Sequence, residues 1–435
     1  MSAKTSTKTF SQTFASSALA VVLSAVLVSP VFAGDREQAK RIHDRLVGTP
    51  PSDACLTQLQ NQVATGPAGA KAAAMDAITD DTLISNPGDK CIGKEFYRVT
   101  LKNFVTPWTN EEQTVFAPLN DYSATLIGMI RDDKDFRGIL SDDILYVGTA
   151  GGAISAYAND NNDHYKDLEN NGVDLQADLQ QVAQTSRTGI PAAGVLTSRA
   201  GAKAFFVDGT NRAMFRFTML NHLCNDMEQV KDTSYTPDRI RQDVSRSPGG
   251  DSRIYMNACI GCHTGMDPLT QAFAYYDYEY PLDGDNNPLY DAGEMVYNTG
   301  NDTVPDQLGN PIDTGTRVQA KYLINANNFE YGFITPDDKW DNYWRTGSNS
   351  ALGWDTNVLG LPSGGTGASS MGAELANSEA FAQCQVEKVF KAVCLRAPVD
   401  ATDRGQIASM TSNFKLGGYK LKQVFADSAV FCKGS

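Results

Sequence analysis

One heptapeptide, Ala258-Cys259-Ile260-Gly261-Cys262-His263-Thr264, constrains this chain more than any other feature. Two cysteines separated by two residues and followed at once by histidine are the attachment signature of a c-type haem. The chemistry sets the spacing. Each thiol adds to one porphyrin vinyl group, the two thioethers fix the ring edge to the local backbone, and His263 falls under the iron as proximal ligand. The competing readings are a disulfide and half of a zinc site. A zinc site needs two further Cys or His ligands at finger-like spacing, and none is nearby in the sequence. A thioredoxin-like pair needs a βαβ setting, which the surrounding pattern does not supply. The motif occurs once, so the expectation is one covalent haem c per chain, held by Cys259, Cys262 and His263.

The N-terminus reads as a secretory signal over residues 1–33. Lys4 and Lys8 give a positive start, residues 18–31 are apolar, and Val31-Phe32-Ala33 is a small-residue cleavage site. The apolar run is short for a membrane span and carries Ser24, Ser29 and Pro30. No later segment is long and apolar enough to cross a bilayer, so the mature chain is expected to be periplasmic or secreted. Export and haem agree, because c-type haem is attached outside the cytoplasm.

The chain has 435 residues and a formal charge of −14. Without Lys4 and Lys8, 35 basic residues face 51 acidic ones, a net −16. Such a balance repels nucleic acid and anionic lipid and suits basic protein partners or cations. Eight cysteines less the motif pair leave Cys55, Cys91, Cys224, Cys384, Cys394 and Cys432. An even number in an oxidising compartment favours disulfides. Cys55 and Cys91 lie in one N-terminal region and form the first expected pair. Cys384 and Cys394 fall on one helix, where ten residues separate them by ~15 Å, too far to bridge. Each therefore needs another partner, with Cys432 and Cys224 the candidates.

Periodicity and punctuation predict a mainly α fold, a helical multi-lobe arrangement with long loops. Residues 35–47 read as the first helix, stopped by Gly48 and Pro50-Pro51. Helical patterns follow at 56–65 and 68–79. Residues 95–105 fit helix or strand, Asn110-Glu111-Glu112 looks like a helix cap, and 125–131 and 140–147 are apolar segments. A helix runs into His222, and a short one is expected over 237–244. Residues 283–367 read mostly as loops, and helices return at 371–395, 401–413 and 421–431. The regions expected are 34–136 and 137–240, both helical, a haem region with a long acidic loop at 241–369, and a C-terminal helical region at 370–435.

The motif runs into Met266-Asp267-Pro268-Leu269, then Ala272-Phe273 and Tyr276-Asp277. This resembles the C-x-x-C-H-x-x-x-D-P-L-G…F…F-D signature of a large, mostly uncharacterised family of secreted haem proteins, best known from planctomycetes and proteobacteria. Other blocks resemble the same family in the same order. They are Arg45-Leu46-Val47-Gly48-Thr49-Pro50-Pro51-Ser52, Leu140-Ser141-Asp142-Asp143, Arg187-Thr188-Gly189-Ile190 with Gly194-Val195-Leu196-Thr197, and Ala373-Glu374-Leu375-Ala376 with Phe381. Thr270 departs from the family's Gly, and the loop after Tyr280 is long. The resemblance implies a helical c-type cytochrome and leaves substrate and partner open.

The iron's sixth ligand is the mechanistic question. Met266 is too close to His263 in sequence to reach the opposite ring face. His164-Tyr165 stands where the family's H-Y-G would stand, which makes His164 the first candidate. His222, on an apolar helix before the motif, is the second. His43 reads as a surface residue, and Met295 and Met371 are further possibilities. A calcium site is a separate expectation. Asp283, Asp285, Asn287, Leu289, Asp291 and Glu294 take positions 1, 3, 5, 7, 9 and 12 of a calcium loop, although Pro288 stands where the sharp turn wants Gly. The functional expectation is an electron carrier with a redox partner protein. The alternatives are a peroxidase- or oxygenase-like haem enzyme with an open distal site, or a haem-bearing adaptor in a secreted complex.

Overall fold

The computed structural model describes residues 33–79, 93–149, 151–206, 211–242, 252–306, 310–322, 331–355 and 363–434. The expected signal segment and Cys91 lie outside the described residues. Local signals place the first three helices. Helix α1, Asp35–Val47, carries Asp35 and Glu37 in its first turn and Arg45 in its last, matching the helix dipole. It ends at Gly48, whose φ of 76° lets its N–H turn back to the Asp44 carbonyl. Helix α2, Asp53–Val63, is capped by the Ser52 hydroxyl on the Cys55 N–H, and α3, Pro67–Thr79, opens on proline. Ala70, Ala73, Ala74 and Ala77 of α3 are all buried, small enough to let the C-terminal helix α13, Leu421–Phe431, lie close. His43 is not at the surface. With Ala39, Ile42, Leu46 and Val47 it forms the buried stripe of α1.

Residues 95–105 are helical, with a π-helical stretch at Phe96–Leu101 followed by Lys102–Val105. Phe96 packs edge-on against Phe425 of α13 at 5.1 Å. The expected cap at Asn110 starts no helix. Its amide instead donates to the Thr106 and Thr114 carbonyls and accepts from the Thr114 N–H, closing a loop. The next helix, α4 (Asp121–Arg131), is capped by Asn120 and Ser123 reciprocally. Then come strand β1 (Leu145–Gly148), helix α5 (Asp163–Asn170) and strand β2 (Leu179–Val182), which pairs antiparallel with β1. Helix α6 (Arg199–Phe205) and helix α7 (Arg212–Leu223) follow.

Over 237–241 no helix forms; Arg241 joins an isolated bridge to Phe333, and residues 243–244 lie outside the described residues. Helix α8 (Ser252–Ala258) and helix α9 (Ile260–Thr270) carry the motif. The long loop region holds three short hairpins: β3 (Tyr276–Glu279) with β4 (Glu294–Tyr297), β5 (Thr303–Pro305) with β6 (Pro311–Asp313), and β7 (Lys339–Asp341) with β8 (Gly364–Thr366).

The stretch 371–395 is two helices, α10 (Gly367–Ala376) and α11 (Glu379–Cys394), because the Ser378 side chain caps the second through the Phe381 N–H. Helix α12, Ala401–Leu416, leads to α13. Cys384 and Cys394 do not pair with each other. Disulfides join Cys224 to Cys384 and Cys394 to Cys432, tying α11 to the end of α7 and the end of α13. Chain-entropy arithmetic for loops of 160 and 38 residues gives about 5 and 4 kcal/mol of stabilisation. Cys55 is also disulfide-bonded.

Among the described residues 55% are helical and the sheets are all two-stranded, a mainly α class. One hydrophobic core runs from Ala39 in α1 to Ala429 in α13 and takes in Met266 and Leu269 of the motif helix. The regions drawn at 34–136, 137–240, 241–369 and 370–435 all contribute to this core. Among the described residues no helix is long and apolar enough to cross a membrane.

Candidate functional site

A single residue, Cys259, separates α8 from α9. The N–H groups of Cys262 and His263 donate to the Cys259 carbonyl at 3.2 and 3.3 Å, so the motif is wound as helix. In that conformation Cys259, Cys262, His263, Met266 and Asp267 recur every three or four residues and share one face. Cys259 and Cys262 are free and half-buried, whereas the other described cysteines are disulfide-bonded. Burial, helped by Glu228, pushes the Cys262 thiol pKa up. That is the opposite of the electropositive setting that activates a redox dithiol.

His263 Nδ1 lies 3.0 Å from Asp267 Oδ1, one helical turn on. Asp267 is fully buried, and Arg212, the first residue of α7, grips both its oxygens at 2.9 and 3.2 Å. Burial alone would raise the Asp267 pKa. Arg212, His263 and Arg241 outweigh it and hold the carboxyl well below the usual range. An ionised carboxylate only accepts, so Nδ1 carries the imidazole proton and Nε2 keeps its lone pair for a metal.

The surroundings hold α9 rigidly. Gly265 lies flat on the buried Trp344 ring, and a Cβ there would sit 1.9 Å from the indole Nε1. Trp344 leans in turn on Phe215 and Trp354. The Asp232 N–H donates to the Gly261 carbonyl, and the Thr264 hydroxyl donates to the Asp232 carbonyl. Tyr255 stands edge-on to the His263 ring at 4.9 Å, and its buried hydroxyl has no partner. Beside Cys262 opens a cavity of about 450 Å³ lined by Glu228, Lys231, Asp232, Asn257, Ile260 and Gly261. Of the motif's attachment residues only Cys262 lines this cavity; two free thiols and an imidazole oriented by a carboxylate are the donor types that a c-type haem would need.

The other expected ligands are not brought to this site. His164 spends both ring nitrogens on the backbone: Nε2 accepts from the Gly148 N–H at 2.9 Å and Nδ1 donates to the Ser155 carbonyl at 2.7 Å. It pins α5 to β1 and has no lone pair left for iron. His222 is fully buried among Trp108, Tyr122 and Phe381, with Nε2 2.6 Å from the Tyr122 hydroxyl. Ten residues of α7, ~15 Å, separate it from Arg212, which touches Asp267. Met295 and Met371 are buried in the main core.

The residues of the expected calcium loop are also placed by the structure. Residues 283–294 form a β3–β4 hairpin connection and have no flanking helices. Asp283 Oδ1 accepts from the Asp285 and Asn287 N–H groups, and Glu294 Oε2 accepts from Asn159. Leu289 is exposed, and its N–H goes to the Pro281 carbonyl. The carboxylates turn to local donors and do not converge, and among the described residues no group of three or more metal-ligating side chains is found.

Sequence reasoning did not assign a role to Asp267 or Arg212. For Asp267 the signal was present, since a carboxylate four residues past a histidine in a helix faces it. Arg212 lies 55 residues before Asp267, and nothing local marks it. Comparison of the chain with family models, curated proteins and solved structures gave no match.

Proposed function

We propose that the chain is an exported, mono-haem c-type cytochrome that passes single electrons, with the haem tethered at Cys259 and Cys262 and ligated by His263. The observation that supports this most is the line Arg212–Asp267–His263 on the same helix face as the two free thiols. When bound, the haem supplies a one-electron iron couple. Asp267 would fix the His263 tautomer and ring orientation; Arg212 and Arg241 keep Asp267 ionised. His263 retains 18% side-chain exposure, which keeps the site near the surface, where a redox protein can approach. The acidic balance of the chain favours a basic docking face on that partner. Disulfides persist in oxidising compartments, in keeping with export.

A haem enzyme is the second reading. The carboxylate on His263 favours it, because a more basic proximal imidazole is a stronger donor to iron. Against it, His43, His164 and His222 are all packed into structural settings, and a distal acid–base pair commonly includes a histidine. The test has two parts. Denatured protein in a pyridine-haem assay should carry one haem per chain, lost in the Cys259→Ala/Cys262→Ala double variant; full retention there would reject the assignment. Spectra of the reduced protein should change little with carbon monoxide, and ready binding of carbon monoxide or peroxide would replace the carrier with the enzyme.

A further inference from the structure

Far from the motif in sequence, α6 presents a buried cation that has no ion pair among the described residues. Arg199 is 7% exposed, and its Nε has no hydrogen-bond partner. No ion pair to its guanidinium exists among the described residues. Its own backbone N–H and that of Ala200 are taken by Asp121 at 2.6 and 3.0 Å. Burial raises the Asp121 pKa and the nearby Arg199 charge opposes that rise, but the carboxylate oxygens are spent on backbone N–H groups and not on the guanidinium. Leaving a buried guanidinium unpaired is costly unless something else pairs with it.

Arg199 lines a cavity of about 440 Å³ together with Lys166, Lys203, Ala117, Pro118 and Ala204. Lys203 is four residues after Arg199 on the same helix face, a like-charge spacing that destabilises an unliganded helix. Burial first, and then Arg199, push the Lys203 pKa down. Glu111, Glu112 and Asp291 also line the cavity, but all three are exposed. The amide nitrogens in the wall are already committed. Asn110 donates to Thr106 and Thr114, Asn120 to Thr109 and Pro118, and Asn162 to Leu119. The donor left without a partner is Arg199 Nε; beside it Lys203 gives one N–H to the Tyr290 carbonyl at 2.8 Å and Lys166 stands 3.8 Å from Asp163, so each ammonium keeps further N–H groups for an acceptor-only ligand. A planar fork matches a carboxylate bidentately, and the Ala and Pro side chains offer a small apolar wall for its carbon skeleton.

We propose that this cavity binds a small organic carboxylate, paired to Arg199 and flanked by Lys166 and Lys203. The site does not depend on the haem assignment. The test is a thermal-shift and calorimetric titration of the full chain with sodium acetate and sodium succinate, against sodium chloride and sodium sulfate at matched ionic strength. The carboxylates should raise the melting temperature saturably, and chloride and sulfate should not. Arg199→Gln should abolish the shift while melting no lower than wild type without ligand, since it removes an unpaired buried charge. Lys166→Gln, at a half-exposed position that tolerates change, should weaken binding about tenfold, as loss of one charge-assisted contact does. If Arg199→Gln does not fold, the Lys166→Gln titration decides alone. Equal shifts with all four salts, no shift with any, or a Lys166→Gln curve superimposable on wild type would overturn the proposal.

Discussion

Asp267→Asn separates the electronic role of the carboxylate from its place in the packing. The wild-type contacts, 3.0 Å to His263 and 2.9 and 3.2 Å to Arg212, are charge-assisted. Asparagine keeps the shape and can still accept from Nδ1, but it carries no charge. A hydrogen bond to a charged group contributes about 1.5–3 kcal/mol and a neutral one about 0.5–1.5, so the change removes about 1 kcal/mol from the His263 contact. In the proposed cytochrome the negative carboxylate would favour the oxidised, more positive iron. At 59 mV per tenfold for one electron, losing about 1 kcal/mol should raise the midpoint potential by about 40 mV. Arg212→Gln acts in the opposite direction, because it leaves the Asp267 charge less neutralised, and should lower the potential. Both variants break a buried ion pair and should lose about 3–5 kcal/mol of stability. The assay is a spectroelectrochemical titration of the haem-loaded variants alongside chemical denaturation. An unchanged potential in folded Asp267→Asn, or shifts of the same sign in both variants, would refute an electronic role and leave only packing.

Acid sensitivity should trace to α1. Burial lowers the His43 pKa from 6.5 to about 4. The folded protein therefore excludes a proton that the unfolded chain takes up below pH 6.5, and stability should fall as pH drops from 6.5 towards 4. The loss should reach about 3 kcal/mol from this group and then level off. His222, pushed well below its usual value by burial, adds to the same trend. Urea melts across that window should be flatter for His43→Leu, and equal slopes would remove His43 as the cause. Gly265→Ala should cost more than the about 1–3 kcal/mol usual for overpacking, because the added methyl meets a Trp344 ring held by Phe215 and Trp354. A melting temperature within a degree of wild type would show that the indole moves aside.

Where the information is local, the sequence was enough. Helix α1 and helix α13 have the predicted bounds, since a cap, a periodic stripe and a Gly or loop terminator act within a few residues. The helical face that gathers Cys259, Cys262, His263 and Asp267 also follows from spacing alone. Helix geometry likewise excludes a Cys384–Cys394 bridge; which of the candidates Cys224 and Cys432 each cysteine takes is decided by the packing, Cys224 with Cys384 and Cys432 with Cys394. The break at Ser378 was missed although its cap is local, because the apolar pattern runs on through it.

Other features were decided only by distant packing. His43 was legible as part of the stripe Ala39, Ile42, Leu46 and Val47, yet a histidine's polarity alone pointed to the surface. The structure buries it because the face it occupies meets the other helices of the core. His164 was placed at the iron by a motif position, but the Gly148 N–H and Ser155 carbonyl claim both its nitrogens. Arg212 reaches Asp267 across 55 residues, and Arg199 Nε is left without a hydrogen-bond partner, because the packing of whole helices fixes where their ends lie. A sequence specifies what a residue can donate or accept within a turn of backbone. Which partner it meets depends on the single arrangement in which all the apolar stripes are buried at once.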